Sequence, residues 1–164
     1  MDSQSKGKLQ YVLELKTTFM NGLPSAENPY IFNGDFVDRG KRSIEVLVIL
    51  LSCFLLFPGY VYLNRGNHED HIINLRYGFV REMRSKYKQH ADRLLVLIER
   101  LYRWLPLGTL IDNKVFVVHG GISDVTDLTV IRKAERQKNH GQGGSKTMDP
   151  DYAQQSYIIL EFIF

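Results

Sequence analysis

Cysteine is nearly absent from this 164-residue chain. Cys53 stands alone, so no internal disulfide can form, and a reducing, cytoplasmic setting is the simpler expectation. Met1 to Leu15 has neither the apolar core nor the small-residue cleavage site of a signal peptide. Long hydrophobic runs are missing too. The most apolar stretch, Val46 to Phe57, is too short to span a bilayer and is interrupted by Ser52 and Cys53, so it reads as a buried helix and argues against a membrane. Charge of one sign is scarce: 21 Lys and Arg against 18 Asp and Glu leave +3, which suits an anionic partner without selecting a phosphorylated one over nucleic acid. No EF-hand calcium loop and no internal repeat occurs. The glycine-rich Gly141 to Lys146 lacks the spacing and the preceding strand of a phosphate loop, and reads as linker.

The length allows one domain with a real core, though not two, and 44% hydrophobic with 24% charged residues is ordinary for a globular protein. Apolar spacing predicts a helix over Lys8 to Met20, stopped by Asn21-Gly22, and a loop from Pro24 through Pro29. Tyr30-Ile31-Phe32 is a short strand. Ser43 is the expected N-cap of a buried helix over Ile44 to Phe57, closed by Pro58-Gly59. A second strand covers Tyr60 to Leu63, helices cover Met83 to Tyr87 and Ala91 to Trp104, and a third strand covers Lys114 to Val118. The pattern predicts an α/β unit whose motifs sit at the C-terminal ends of strands. Residues 1–131 form the expected domain, 132–151 a polar linker, and 152–164 an apolar C-terminal segment that is either a docked strand or an aggregation hazard.

Three stretches carry chemistry: Gly34-Asp35-Phe36-Val37-Asp38-Arg39-Gly40, Gly66-Asn67-His68-Glu69 and His119-Gly120-Gly121. They offer two carboxylates, an arginine, an amide and two imidazoles. Asp, Asn and His are ligands for a borderline divalent metal. An Asp–His pair is an acid–base device, and arginine grips phosphate bidentately. Together they read as metal-assisted phosphoester hydrolysis. Singly, each has a plainer reading: Asp35 capping a turn, Asn67 as a turn residue, His119 as a core histidine, Arg39 in a surface salt bridge.

In this order the three stretches resemble the phosphoprotein phosphatase family, the calcineurin-like metal-dependent Ser/Thr phosphatases. Asn21 to Ser25, Leu63 to Asp70 and Asn74 to Phe79 are similar to the branch with EF-hands, and the likeness runs from about Asn21 to about Arg136. The resemblance implies part of a calcineurin-like metallophosphoesterase sandwich. It implies Asp35 bridging two ions, with Asn67 and His119 completing most of one shell, and His68 paired with Asp38 as proton donor to the leaving alkoxide. Arg39 and Asn67 would hold phosphate oxygens. Manganese is the first expectation for the metal, with iron or zinc as alternatives, and the substrate would be phosphoserine or phosphothreonine in a protein. Arg65 is read as structural, Trp104 to Leu107 as packing, and His71, His90 and His140 as uninvolved.

The chain departs from that family at two places. The family opens with a Gly-Asp-x-His-Gly motif; here Asp2 is the only aspartate before Asp35, no histidine precedes His68, and Gln4 and Lys6 stand where ligands belong. Protonated lysine cannot ligate a cation. The family's further arginine and histidine beyond the third stretch are also missing. The expectation is a truncated catalytic domain with one ion or none and impaired activity; the alternative is a non-catalytic pseudophosphatase or partner-binding fragment. Nucleic-acid binding through Arg132 to Lys146 rests on charge alone and is not expected. Calmodulin and calcium regulation are implied only for the full-length family.

Overall fold

The computed structural model describes residues 20–129 and 160–163. Apart from Met20, the helix expected over Lys8 to Met20 lies outside them, as do the linker at 132–151 and the boundary at 131. Strand β1 (Tyr30–Asn33) pairs in parallel with β2 (Val61–Asn64), and the crossover between them is helix α1 (Ser43–Leu56). Helices α2 (His71–Tyr77), α3 (Phe79–Tyr87) and α4 (Ala91–Tyr102) follow, with a single 3₁₀ turn at Lys88–His90. Strands β3 (Gly108–Ile111) and β4 (Val115–Val118) form an antiparallel hairpin, and β5 (Leu160–Ile163) lies parallel to β3 on its other edge. Of the two readings of the terminal apolar segment, these four residues therefore take the docked strand.

The core lies between the β1–β2 pair and the helices. Val46, Leu47, Leu50 and Cys53 recur at helical spacing on one face of α1, and they pack with Leu63, Phe79, Met83 and Tyr102. Burying each large apolar side chain stabilises the fold by about 1.5–3 kcal/mol. The expectation of a buried α1 holds for one face only, because Val48, Ile49, Leu55 and Leu56 on its other face are 42–75% exposed. A two-stranded sheet covers only one side of the helix. Ser43 is not the N-cap either. Arg42 occupies that position with no side-chain bond, and the Glu82 carboxylate of α3 accepts from the Ser43 and Ile44 N–H groups at 3.0 and 3.1 Å. A carboxylate from another helix thus satisfies the orphan donors and complements the positive helix end.

Two elements were missed. Helix α2 begins at Asp70, whose Oδ1 accepts from Ile72 and Ile73, and it ends after two turns at left-handed Gly78. Strand β3 is four residues long. Its signal was the Asp112-Asn113 turn, where both residues have positive φ (50° and 53°) and Lys114 N–H donates back to Ile111, within the three-residue connection between the paired Ile111 and Val115.

Candidate active site

The parallel register pairs Asn33 with Asn64, so β1 and β2 end level and their loops leave side by side. At that edge the loops touch backbone to backbone. A Cβ built on Gly34 would lie 2.5 Å from the Gly66 nitrogen, and one on Gly66 would lie 2.6 Å from both the nitrogen and Oδ1 of Asp35. Only glycine fits at either place. The fully buried Glu69 closes the contact: its carboxylate accepts from the N–H groups of Asp35, Phe36 and Gly66 at 2.7, 2.7 and 2.8 Å. Burial pushes this carboxyl above its ordinary pKa, against the pull of those three donors, and the charge of Asp35 adds to the rise. Glu69 belongs to the second motif, but its part in holding two loops together was not foreseen.

Asp38 is 0% exposed, with positive φ like Asp35 and Arg39. Its Oδ1 accepts from Phe79 N–H at 2.8 Å, and its Oδ2 lies 2.9 Å from His68 Nδ1. With Nδ1–H donating to a carboxylate, the other ring nitrogen becomes the working atom. That Nε2 is buried and has no hydrogen-bond partner among the described residues. The expected Asp38–His68 pair is therefore formed.

His119 arrives from the other sheet. Asn64 donates to Asn33 Oδ1 at 2.9 Å and to the Val117 carbonyl at 3.2 Å, Thr109 donates to Asn64 Oδ1 at 2.8 Å, and Asn33 donates to the Val118 carbonyl at 3.0 Å. This polar clasp between strand ends fixes where β4 delivers its terminal histidine. Asparagine is disfavoured in strands, so one at the end of each parallel strand was a local conflict that could have flagged a cross-link. His119 Nδ1 sits 2.6 Å from the Asn33 carbonyl and must be the donor there. Nε2 then faces Asn67 Oδ1 at 3.2 Å and Asp35 Oδ1 at 3.3 Å.

Asp35, Asn67 and His119 thus converge as expected, and His119, with 26% of its side chain exposed, is no core histidine. Three acceptor atoms face one another unless a proton or a cation lies between them. Metal–ligand bonds of about 2.1 Å put neighbouring ligand atoms about 3.0–3.4 Å apart, so the spacing fits a divalent ion. Among the described residues no three His, Cys, Asp or Glu side chains gather to hold a metal, so any three-donor set at this place would have to include the amide oxygen of Asn67.

Arg39 is exposed and lies over the Tyr77 ring at 5.7 Å, not in the salt bridge that was its plainer reading. Tyr77 also meets the His68 ring edge-on at 5.1 Å, so one aromatic side chain touches both the candidate phosphate holder and the candidate proton donor. Its place in the sequence gave no sign of this. Arg65, read as structural, has its Nε donating to the Glu69 carbonyl at 2.9 Å and its guanidinium 3.8 Å from Asp70. His71 is half exposed and lies 4.0 Å from Glu99. His140 lies outside the described residues.

A model of the calcineurin-like phosphoesterases matches residues 6–160. The chain belongs to that family. Across 120 residues it is 58% identical to the human "Serine/threonine-protein phosphatase with EF-hands 1", the match covering 73% of this chain and 18% of that protein. The Drosophila melanogaster "Serine/threonine-protein phosphatase rdgC" is 58% identical over 118 residues, covering 72% and 18%. Human "Serine/threonine-protein phosphatase 5" is 45% identical over 127 residues, covering 76% and 25%. A solved Saccharomyces cerevisiae protein serine/threonine phosphatase with similarity to human PP5 superposes with a TM-score of 0.71 at 33% identity, covering 93% of this chain and 45% of that one. The mixed α/β metallophosphoesterase fold is therefore shown, while the chain spans only about a fifth to a quarter of the length of these curated relatives. No helix among the described residues is long and apolar enough to cross a membrane.

Proposed function

We propose that this site hydrolyses phosphate monoesters on serine and threonine side chains of proteins, using a divalent metal for which manganese is the first candidate and iron or zinc the alternatives. The observation that carries the reading is His68. Its Nδ1 is committed to Asp38, its Nε2 is buried without a partner among the described residues, and its backbone N–H donates to Asp35 Oδ1 at 3.2 Å, beside the metal-spaced donors. A buried polar atom with no partner is costly, and a substrate oxygen would satisfy it.

Asp35, Asn67 and His119 would hold the ion; bound there, it would lower the pKa of a water and polarise a phosphoryl oxygen. The remaining roles belong to the chain's own groups. Asp38 keeps Nδ1–H of His68 fixed, so Nε2 can hold the proton that the leaving serine or threonine oxygen takes up. Arg39 presents its fork to two phosphate oxygens, and the Tyr77 ring beneath restricts where the fork can point. Asn67 turns Oδ1 toward His119, leaving its amide nitrogen for a third phosphate oxygen.

A second reading is a chain that binds one ion and a phosphorylated partner without turnover. The absence of any three-membered His, Cys, Asp or Glu group among the described residues favours it. The deciding experiment is hydrolysis of a small aryl phosphate, then a phosphoserine peptide, in excess manganese with Asp35→Asn as control. Turnover abolished by that change supports the enzyme, and turnover no higher than the control's supports the binding protein. Two ions per chain by metal analysis would contradict the one-ion arrangement.

A further inference from the structure

Asn74 of α2 and Tyr102 at the end of α4 stand behind the Asp38–His68 pair, and both are buried, at 2% and 1% exposed. Asn74 Nδ2 donates to Asp38 Oδ2 at 2.8 Å and to the backbone carbonyl of His68 at 2.7 Å. One amide group therefore grips both the partner of the imidazole and the main chain that carries it. Both amide hydrogens are committed, and Oδ1 is left to accept from the Tyr102 hydroxyl at 3.1 Å. This fixes the amide's orientation. Turned over, its oxygen would face the two oxygens it now donates to, and its NH₂ would face a hydroxyl.

The polarity of the chain then runs one way: Tyr102 O–H to Asn74, Asn74 N–H to Asp38, and His68 Nδ1–H to Asp38. Burial, reinforced by the charges of Glu69 and Asp38, pushes the Tyr102 phenol well above its ordinary pKa, so it remains a donor. A fully satisfied buried network of this kind rigidifies what it holds.

We propose that Asn74 and Tyr102 are positioning residues for the reaction: together they lock the orientation of Asp38, and through it the tautomer and direction of His68. This deepens the phosphatase reading and rests on it for its catalytic meaning. Tyr102 tethers the pair to α4, a helix that supplies none of the candidate ligands or phosphate holders.

The test is nitrogen-15 NMR of the purified chain at one pH, reading the His68 Nδ1–H signal and its exchange with water in native, Tyr102→Phe and Asn74→Asp proteins. Tyr102→Phe removes one oxygen and keeps the ring. The expected result is an unchanged backbone amide spectrum, with His68 Nδ1–H exchange accelerated about tenfold in Tyr102→Phe and the signal lost in Asn74→Asp. Aryl phosphate kinetics add a second readout, with kcat lowered in step and KM unchanged. Native-like exchange in both variants overturns the proposal. Should neither variant fold, the native chain decides: a slowly exchanging Nδ1–H supports a locked pair, and one too fast to observe overturns it. A native chain with a protected Nδ1–H and no turnover refutes the phosphatase reading while leaving the lock standing.

Discussion

Asp38 and His68 are almost wholly buried, and each of their polar side-chain atoms except His68 Nε2 has a partner inside the protein; Asp35 and His119 keep 25% and 26% of their side chains exposed and face one another as acceptors. Both pairs are an aspartate and a histidine about 3 Å apart, yet their surroundings give them different work. The buried pair is finished by Phe79, Asn74 and, at one remove, Tyr102, and needs nothing from solvent to hold its shape. The exposed pair is left open to solvent, with His68 N–H donating to Asp35 Oδ1. Under the proposed function, a proton-handling device has to be rigid before the substrate arrives, whereas a cation site has to stay open to be filled.

The two pairs meet at one seam, Gly34 against Gly66 with Glu69 beneath, so the largest effect is expected there. Glu69→Ala strands three N–H groups, two of them buried and one part-buried, at about 1–3 kcal/mol each, roughly 3–9 kcal/mol in all, and should collapse both pairs together. Urea unfolding would measure it, and a loss under about 1 kcal/mol would mean the loops do not depend on that carboxylate. Gly34→Ala is next. The added methyl would stand 2.5 Å from Gly66 N at φ +85°, and about 2–3 kcal/mol of destabilisation is expected by the same measurement.

Substitutions at the open pair should separate stability from ligand binding. His119→Ala is expected to change stability by less than about 0.5 kcal/mol, yet to remove the rise in Tm that manganese gives the native chain, which is worth about 2.7 kcal/mol at a hundredfold excess over Kd. A manganese-induced rise that survives in the variant would place the ion elsewhere.

The smallest effect lies outside both pairs and serves as a contrast. Lys86 binds Glu45 and Glu82 on the surface between α1 and α3. Partial burial pulls the Lys86 ammonium down, but the hydrogen bonds and charges of Glu45 and Glu82 outweigh it and leave its pKa raised. Burial pushes Glu45 up, while Lys86 more than compensates and leaves it lowered. The Glu45 contribution is therefore complete above pH 4.5 and fades as pH falls through its lowered native value. That of Lys86 is complete below pH 10.5 and fades as pH rises through its raised one. Lys86→Met should cost about 0.5 kcal/mol across the range between and less outside it. A cost that stays flat at both extremes of pH would mean packing, not charge, is what Lys86 supplies.

Much of this was legible in the sequence. Apolar periodicity gave β1, β2, β4, α1 and α4 to within a few residues, because each buries a face whose period matches its geometry. The three motifs gave five residues that the fold does bring together in two pairs and their shared loop: Asp35, Asp38, Asn67, His68 and His119. Hidden from it were the connections across long sequence separation. Asn74, Tyr102, Glu69, Asn33, Asn64 and Thr109 are ordinary residues until the fold places their polar atoms, and no period or spacing encodes the Tyr102–Asn74 or Asn64–Val117 contact. Helix α2 and strand β3 escaped because seven and four residues are too few for a periodic signal; only Asp70 and the Asp112-Asn113 turn marked them.

The measurement that tests the contrast most directly is a crystal of this chain soaked in manganese and read by anomalous scattering. One peak bonded to Asp35, Asn67 and His119, with the Asp38–His68 contact unmoved at about 2.9 Å, is the predicted result. An empty space there at saturating manganese, with His119 holding Asp35 through a proton alone, would contradict it.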